Sequence, residues 1–206
     1  MARERQSVVK MSRREGYALH PKAHKALVKR SSPPGGPLTG RNQRSKSSQY
    51  ALQLREKQKV KRLYGLLERQ FGNLMREASR RTGQSGATLL ELLERRMDNV
   101  VYRAGFATSR PAARQLVSHG HFLLNGRRVD IPSQRVVPGD VISLRPRSQR
   151  TDYFKRLDDV SPAPSTQVSW LKINRKKGEV AVSGLPPREE AEPDIKEQLI
   201  VEYYSR

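Results

Sequence analysis

The sequence predicts an α+β protein. A mainly helical domain is joined to a smaller domain of helices packed on a small antiparallel sheet, and a basic extended N-terminal arm comes first. Three observations carry this prediction. Val60, Leu63, Tyr64, Leu67 and Phe71 recur at i, i+3, i+4, i+7 and i+11, one face of a helix. Asn125-Gly126 stands between the strand-like runs FLL and RRVDI, a strong signal for a two-residue hairpin because both central residues need positive φ. Residues 1–48, which include SSPPGGPLTGRNQRSKSS, have no apolar period and too little apolar surface to offset the entropy of ordering them alone.

Along the chain, the helical period starts near Tyr50, with Arg55, Lys57, Lys59, Lys61 and Arg62 crowding the rest of that helix. A second short helix is predicted from about Asn73 to Arg81, ending at Thr82-Gly83. Ser85 can cap a third through LLELLERRMDNVVYRAG, whose stripe Leu89, Leu93, Met97, Val100 and Ala104 reads as core. Thr108 or Ser109 can cap the next, with Pro111 tolerated in its first turn and Gly120 ending it. Ala113, Leu116 and Val117 face inward there, and Arg110, Arg114 and Ser118 share the opposite side. The hairpin register pairs Leu124 with Arg127, Leu123 with Arg128 and Phe122 with Val129.

A turn at Pro138-Gly139-Asp140 leads to the strand VISLR, and residues 151–167 read as a connector. WLKIN (170–174) and EVAVSG (179–184) are strands joined by Arg175–Gly178. DIKEQLIVEYYS (194–205) fits either period, and Ile195, Leu199 and Tyr203 favour a helix. The expected domains are the arm at 1–48, a helical domain at 49–94 completed by 194–206, an RNA-binding module at 95–157, and a connector with extra strands at 158–193.

Charge points to the partner. The chain has 206 residues, 41 Lys and Arg, 20 Asp and Glu, and a net charge of +21. Such an excess repels itself unless a polyanion neutralises it, and nucleic acid is the default polyanion. Residues 1–50 carry +10, 51–105 carry +6, 106–157 carry +7 and 158–206 carry −2. Residues 106–129 hold no acid at all, so the first three quarters of the chain should grip the partner. No apolar run approaches the roughly 20 residues of a spanning helix, so no membrane is expected, and a cytosolic location fits.

No enzyme is expected. Without cysteine there is no thiol nucleophile and no thiolate zinc site. His20 and His24 lack the intervening glutamate and the third ligand of a metal motif, and PPGGPLTGR lacks the Gly-Lys-Ser/Thr ending of a phosphate loop. No cofactor or metal is called for. Binding explains more: A-form RNA is recognised through phosphates, 2′-hydroxyls and shape, which asks for arginines on rigid elements.

KMSRREG (10–16), LREKQKVKRLYGLLERQFGN (54–73), ERRMDNVVYRAGFATSRPAARQLVSHGHFLLNGRRVDIPS (94–133) and IKEQLIVEYYS (195–205) together resemble bacterial small-subunit ribosomal protein number four, over nearly the whole chain and in order. The chain departs from many relatives at PPGGPLTG (33–40), and it lacks the N-terminal cysteines with which some hold zinc. The resemblance implies a structural component of the small ribosomal subunit. It would bind small-subunit ribosomal RNA at a multi-helix junction of the 5′ domain, nucleate assembly and support decoding accuracy. Implied protein partners are small-subunit protein five and, as a secondary candidate, protein three, with messenger RNA nearby. The alternative is a free RNA-binding translational repressor. By position, the residues expected to reach RNA are Arg13, Arg14, Arg55, Lys57, Lys59, Arg110, Arg114, Gln115, Ser118, His119, Arg127 and Arg128. Asp98 and Asn99 are expected to brace the module.

Overall fold

The computed structural model describes residues 6–35, 48–163 and 168–205. The greater part of the Pro/Gly/Ser-rich stretch at 31–48 lies outside the described residues. Contacts divide the chain into two units, residues 1–88 with 194–206, and residues 89–193. The segment 158–193 thus falls in one unit with 95–157, and the first residues fall with the helical segment.

The first unit is helical: α1 (Val8–Glu15), α2 (Ala23–Lys29), α3 (Gln49–Leu63), α4 (Glu68–Arg80), the first turn of α5 (Ser85–Glu94), and the last helix, Glu197–Tyr204. The single face running from Val60 to Phe71 is split at Gly65. Gly65 takes φ 66°, the Leu66 amide reaches back to the Lys61 carbonyl at 2.9 Å, and Leu66 is buried at 2% exposure. This Schellman-type stop turns the chain while keeping Val60, Leu63, Phe71, Leu74 and Met75 in the core. Glu197–Tyr204 packs along α3. Gln53 donates to Glu202 at 2.8 Å, Tyr50 and Tyr203 stack at 5.8 Å, and Lys196 N donates to Glu56 at 2.9 Å.

The expected extended arm is helical over much of residues 8–29, and it is part of this unit. Met11 and Ala23 are buried, and the fully enclosed Glu15 side chain pairs with Arg55 and Arg62. Burial raises the Glu15 pKa, and the arginines only partly oppose this. The physical reason for the departure is that α1 need not fold alone, because α3 supplies the apolar and cationic surface it lacks. Deleting residues 1–30 is therefore expected to lower the unfolding free energy by about 2 kcal/mol or more through lost core contacts. An unchanged denaturant midpoint would contradict that.

The second unit contains α6 (Met97–Arg103), α7 (Arg110–Ser118), β1 (Phe122–Leu124), β2 (Arg127–Val129), β3 (Val141–Leu144), the short helices α8 (Pro146–Gln149), α9 (Asp152–Lys155) and α10 (Leu157–Val160), and β4 (Leu171–Asn174) and β5 (Glu179–Val182); Glu197–Tyr204 is accordingly α11. The sheet is antiparallel throughout, in the order β2-β1-β3-β5-β4. The hairpin register is the one expected: Phe122 opposite Val129, Leu123 opposite Arg128, Leu124 opposite Arg127. Phe122, Ile142, Leu144, Val180 and Val182 share a core with Met97, Val100, Ala113 and Val117 from α6 and α7. Phe106, Phe122 and Phe154 stack at its centre, with centroids 5.8 and 6.2 Å apart.

The long third helix expected from Ser85 is two helices. Arg96 is extended (ψ 139°), bridges to Arg135, and forks to Asp98 at 3.0 and 2.7 Å, while Met97 N donates to the Gln134 carbonyl. The apolar stripe survives the break, since Leu89, Leu93, Met97, Val100 and Ala104 are all 0% exposed.

Candidate nucleic-acid interface

α7 begins where Ser109 accepts a hydrogen bond from the Ala112 amide and Pro111 occupies the first turn. Its two arginines are not free on the surface. Arg110 donates to Glu192 at 2.6 Å and to Asn99 at 2.9 Å, and its guanidinium lies 4.6 Å from the Tyr102 ring centroid. Arg114 pairs with Asp98 at 3.4 Å. Burial pulls the Arg114 pKa below its ordinary value, against the attraction of Asp98. Asp98 and Asn99 are themselves buried, so they brace the module from inside. Beneath them Glu94, 1% exposed, accepts from Asn99 at 2.8 Å and from Arg103 at 2.9 Å through each oxygen. Arg103 also reaches Glu192 at 3.4 Å.

The far end of α7 and the hairpin are different. Gln115, His119, Arg127 and Arg128 are exposed, and Ser118 is half-buried with its hydroxyl on the Arg114 carbonyl. Gly120 sits at φ 69°, and a Cβ built there would lie 2.5 Å from Arg128 Nε. The bare glycine lets the Arg128 head lie against the end of α7, tying hairpin to helix. Among the described residues Arg128 has only an exposed pair with Asp130 at 3.9 Å. The turn itself is fixed from a second side. Asn125, at φ 49°, donates to Asp140 at 2.8 Å and accepts from Val141 N at 2.8 Å. Asn125 therefore serves the turn and also locks the hairpin to the Pro138–Asp140 corner. A cleft of about 560 Å³ opens beside it, lined among others by Arg127, Arg128, Ile131 and Gln134.

His121 adds to this end of the module. Its ring lies 6.0 Å from that of His119, its Nδ1 is 3.0 Å from the Ser148 hydroxyl, and Arg145 N donates to its carbonyl. Burial lowers the His121 pKa, and His119 and Arg145 lower it further. The short helices that follow expose Arg147, Arg150, Lys155 and Arg156. The sequence places all four within the 95–157 module without naming them as RNA contacts, and Lys155 and Arg156 fall in the stretch read as a connector. The signal was present in PRSQRTDYFKR, which sets four basic residues against one acid.

In the first unit, Arg14 is exposed, and Arg13 donates to the Ser32 carbonyl at 3.0 Å. Arg55 is exposed on one side and pairs with Glu15 at 3.3 Å. Lys57 is buried, 2.5 Å from Glu68 and 4.6 Å from the Tyr203 ring centroid. Lys59 donates to the Asp194 carbonyl at 2.6 Å and pairs with Glu56 at 2.9 Å. The fold thus sorts the candidate residues. Arg14, Gln115, His119, Arg127 and Arg128 are presented outward, whereas Lys57, Lys59, Arg110 and Arg114 are engaged within their units. Among the described residues no group of three or more His, Asp or Glu side chains could hold a metal ion.

Two family models cover this chain. One described as "Ribosomal protein S4/S9 N-terminal domain" matches residues 3–94, and one described as "S4 domain" matches residues 95–142. The chain is 52% identical over 209 residues to a small ribosomal subunit protein uS4 of Chloroflexus aurantiacus, and 51% identical over 209 residues to that of a Roseiflexus species. It is 48% identical over 207 residues to the uS4 of Chlorobium phaeovibrioides. Each of these matches covers 100% of both chains.

Proposed function

The chain belongs to the uS4 family of small ribosomal subunit proteins, and from that premise we propose that the exposed end of α7 and the β1–β2 hairpin clamp the ribosomal RNA backbone. As a family member it is a non-enzymatic, RNA-binding component of the small ribosomal subunit, in the cytoplasm. The observation that carries the clamp is the close approach of the Arg128 head to Gly120, which sets His119, Arg127 and Arg128 at one corner, none of them paired with a buried carboxylate among the described residues. Arginine can fork to a phosphate, and contacts of this kind fix position on RNA without reading sequence.

In this reading Arg14, Gln115, His119, Arg127 and Arg128 make direct contacts, joined by Arg147 and Arg150. Arg110, Arg114, Lys57 and Lys59 hold the surfaces in place from behind. Family membership also supports the finer reading. The RNA site is a multi-helix junction of the 5′ domain, binding nucleates assembly, and contact with small-subunit protein five, beside protein three and the messenger RNA, supports decoding accuracy.

The test is a pair of measurements on the full chain. Co-sedimentation with purified small subunits at stoichiometric level is expected, and recovery of the protein only as a free species would favour the repressor alternative. Replacing both Arg127 and Arg128 by Gln should weaken binding to transcribed 5′-domain RNA and make the salt slope shallower by about two. The melting temperature should move little, because exposed charges contribute little to stability. An unaltered affinity would remove the hairpin from the interface.

A further inference from the structure

The turn that closes the hairpin is also the chain's one Asn-Gly pair. Asparagine occurs at 42, 73, 99, 125 and 174, and only Asn125 is followed by glycine. In such a pair the side-chain amide can react with the next backbone nitrogen, because glycine has no side chain to block the approach. Nothing else blocks it at Gly126, where φ is 79° and a Cβ built on the backbone meets no atom within 4 Å. Asn125 itself is exposed. Against reaction stand two hydrogen bonds that hold the carboxamide at both ends. Nδ2 donates to Asp140 Oδ1 at 2.8 Å, and Oδ1 accepts from Val141 N at 2.8 Å. Asp140 is buried, and its other oxygen accepts from Val137 N at 2.8 Å, so the carboxylate is fixed in turn.

We propose that Asn125-Gly126 is a site of spontaneous deamidation, that Asp140 guards it, and that its conversion unlocks the hairpin from the Pro138–Asp140 corner. The Gly126 nitrogen attacks Asn125 Cγ and a C–N bond forms. The Gly126 amide proton passes through water to Nδ2, which leaves as ammonia. Water then opens the resulting succinimide at either carbonyl, giving aspartate or isoaspartate at 125. One water is consumed, one ammonia is released, and nothing is oxidised or reduced. Both bonds of the lock must break on the way, since Nδ2 departs and Cγ passes through a tetrahedral state. The reaction therefore proceeds from the molecules in which the corner has opened locally. The product cannot rebuild the lock. An oxygen stands where Nδ2 stood, so two acceptors with like charge face each other where a donor met an acceptor. Isoaspartate also adds a methylene to the backbone of a two-residue turn, whose geometry sets the register of β1 and β2. The new charge enters the cleft that Arg127 and Arg128 line, and it opposes their attraction for phosphate.

The experiment follows the full chain by peptide mass spectrometry during incubation at neutral pH. It compares the parent, the parent in denaturing urea, and D140A, whose folding is checked by near-ultraviolet circular dichroism. The exposed Asn73 and Asn174, followed by Leu74 and Arg175, serve as internal references. In the folded parent, acid is expected at position 125 before either reference. Urea should speed the conversion about tenfold or more, the factor for one charge-assisted hydrogen bond, and folded D140A should move most of the way to the urea rate. An Asn125 that stays an amide in the folded parent while it converts in urea, or that converts there no faster than Asn73 and Asn174, would overturn the site. Equal rates in the parent, D140A and urea would overturn the guard. Should D140A not fold, the parent in urea below its unfolding transition takes its place, because local opening rises there first. A rate that stays flat up to the transition would then overturn the guard. The acid form, separated by ion exchange, is expected to bind transcribed 5′-domain RNA more weakly than the amide form. That arm rests on the ribosomal-RNA reading above. Equal affinity of the two forms would overturn the unlocking, whereas failure of both to bind would overturn the ribosomal-RNA reading and leave the mass measurement to decide the site.

Discussion

Replacing Glu94 by Ala is expected to lower the unfolding free energy of the 89–193 unit by about 3–5 kcal/mol, the range for removing one partner of a buried ion pair. The carboxylate is 1% exposed and accepts from Asn99 and twice from Arg103. Its loss strands a guanidinium that is itself mostly covered and that also reaches Glu192 at 3.4 Å. It also loosens Asn99, whose side-chain oxygen supports Arg110. A fall in melting temperature of roughly 10 °C follows from the usual entropy of unfolding for a chain this size. The double variant E94A/R103A should recover part of the loss, because the stranded cation is then gone. A loss below about 1 kcal/mol for E94A would mean that the network is solvated and does not brace the module.

RNA affinity should fall about a thousandfold or more between roughly 50 and 200 mM salt, the response expected when six to ten phosphates are neutralised. Enough exposed basic residues are available for that many contacts without disturbing the fold: His119 aside, Arg127, Arg128, Arg147, Arg150, Lys155 and Arg156 in one unit, and Arg14, Arg69, Arg76 and Arg80 in the other. The internally paired cations should add little to the slope, because each exchanges one anion for another. R110Q is therefore expected to lower stability while leaving the salt slope nearly unchanged. A flat salt response in the parent chain would sink the electrostatic account of binding.

Much of this fold was legible in sequence because local rules decided it. Asn125-Gly126 admits one kind of turn, and the strand register follows from it. Ser109-Arg110-Pro111 marks a helix start, and the stripe from Leu89 to Ala104 is buried along its whole length. Where two local rules competed, the reading failed. Gly65 ended a helix that the apolar period carried on, and Arg96 broke another by a fork to Asp98 that no periodicity encodes.

The candidate site was legible as a region but not residue by residue. Whether an arginine faces solvent depends on acids distant in sequence. Arg110 is taken by a glutamate 82 residues later, and Lys59 by a backbone carbonyl 135 residues later. Arg127 and Arg128 meet no such partner among the described residues, and nothing in their own neighbourhood tells them apart from Arg110. The helical first segment was missed for the same reason, since Glu15 finds its cations 40 and 47 residues away on α3.

Both units are closed by the last quarter of the chain. Glu192 completes the Arg103–Arg110 network, β4 and β5 complete the sheet, and α11 lies along α3 after an interval of more than a hundred residues. During synthesis this sets an order of events. A nascent chain that has released residues 1–150 holds every arginine of the proposed clamp, yet it lacks the carboxylate that anchors the base of α7 and the helix that covers α3. Its cations are present before the scaffold that spaces them. Discriminating attachment to RNA is therefore expected only once residues 171–204 have been made, and a nuclease-treated, stalled chain ending before residue 192 should cling to any polyanion with little preference.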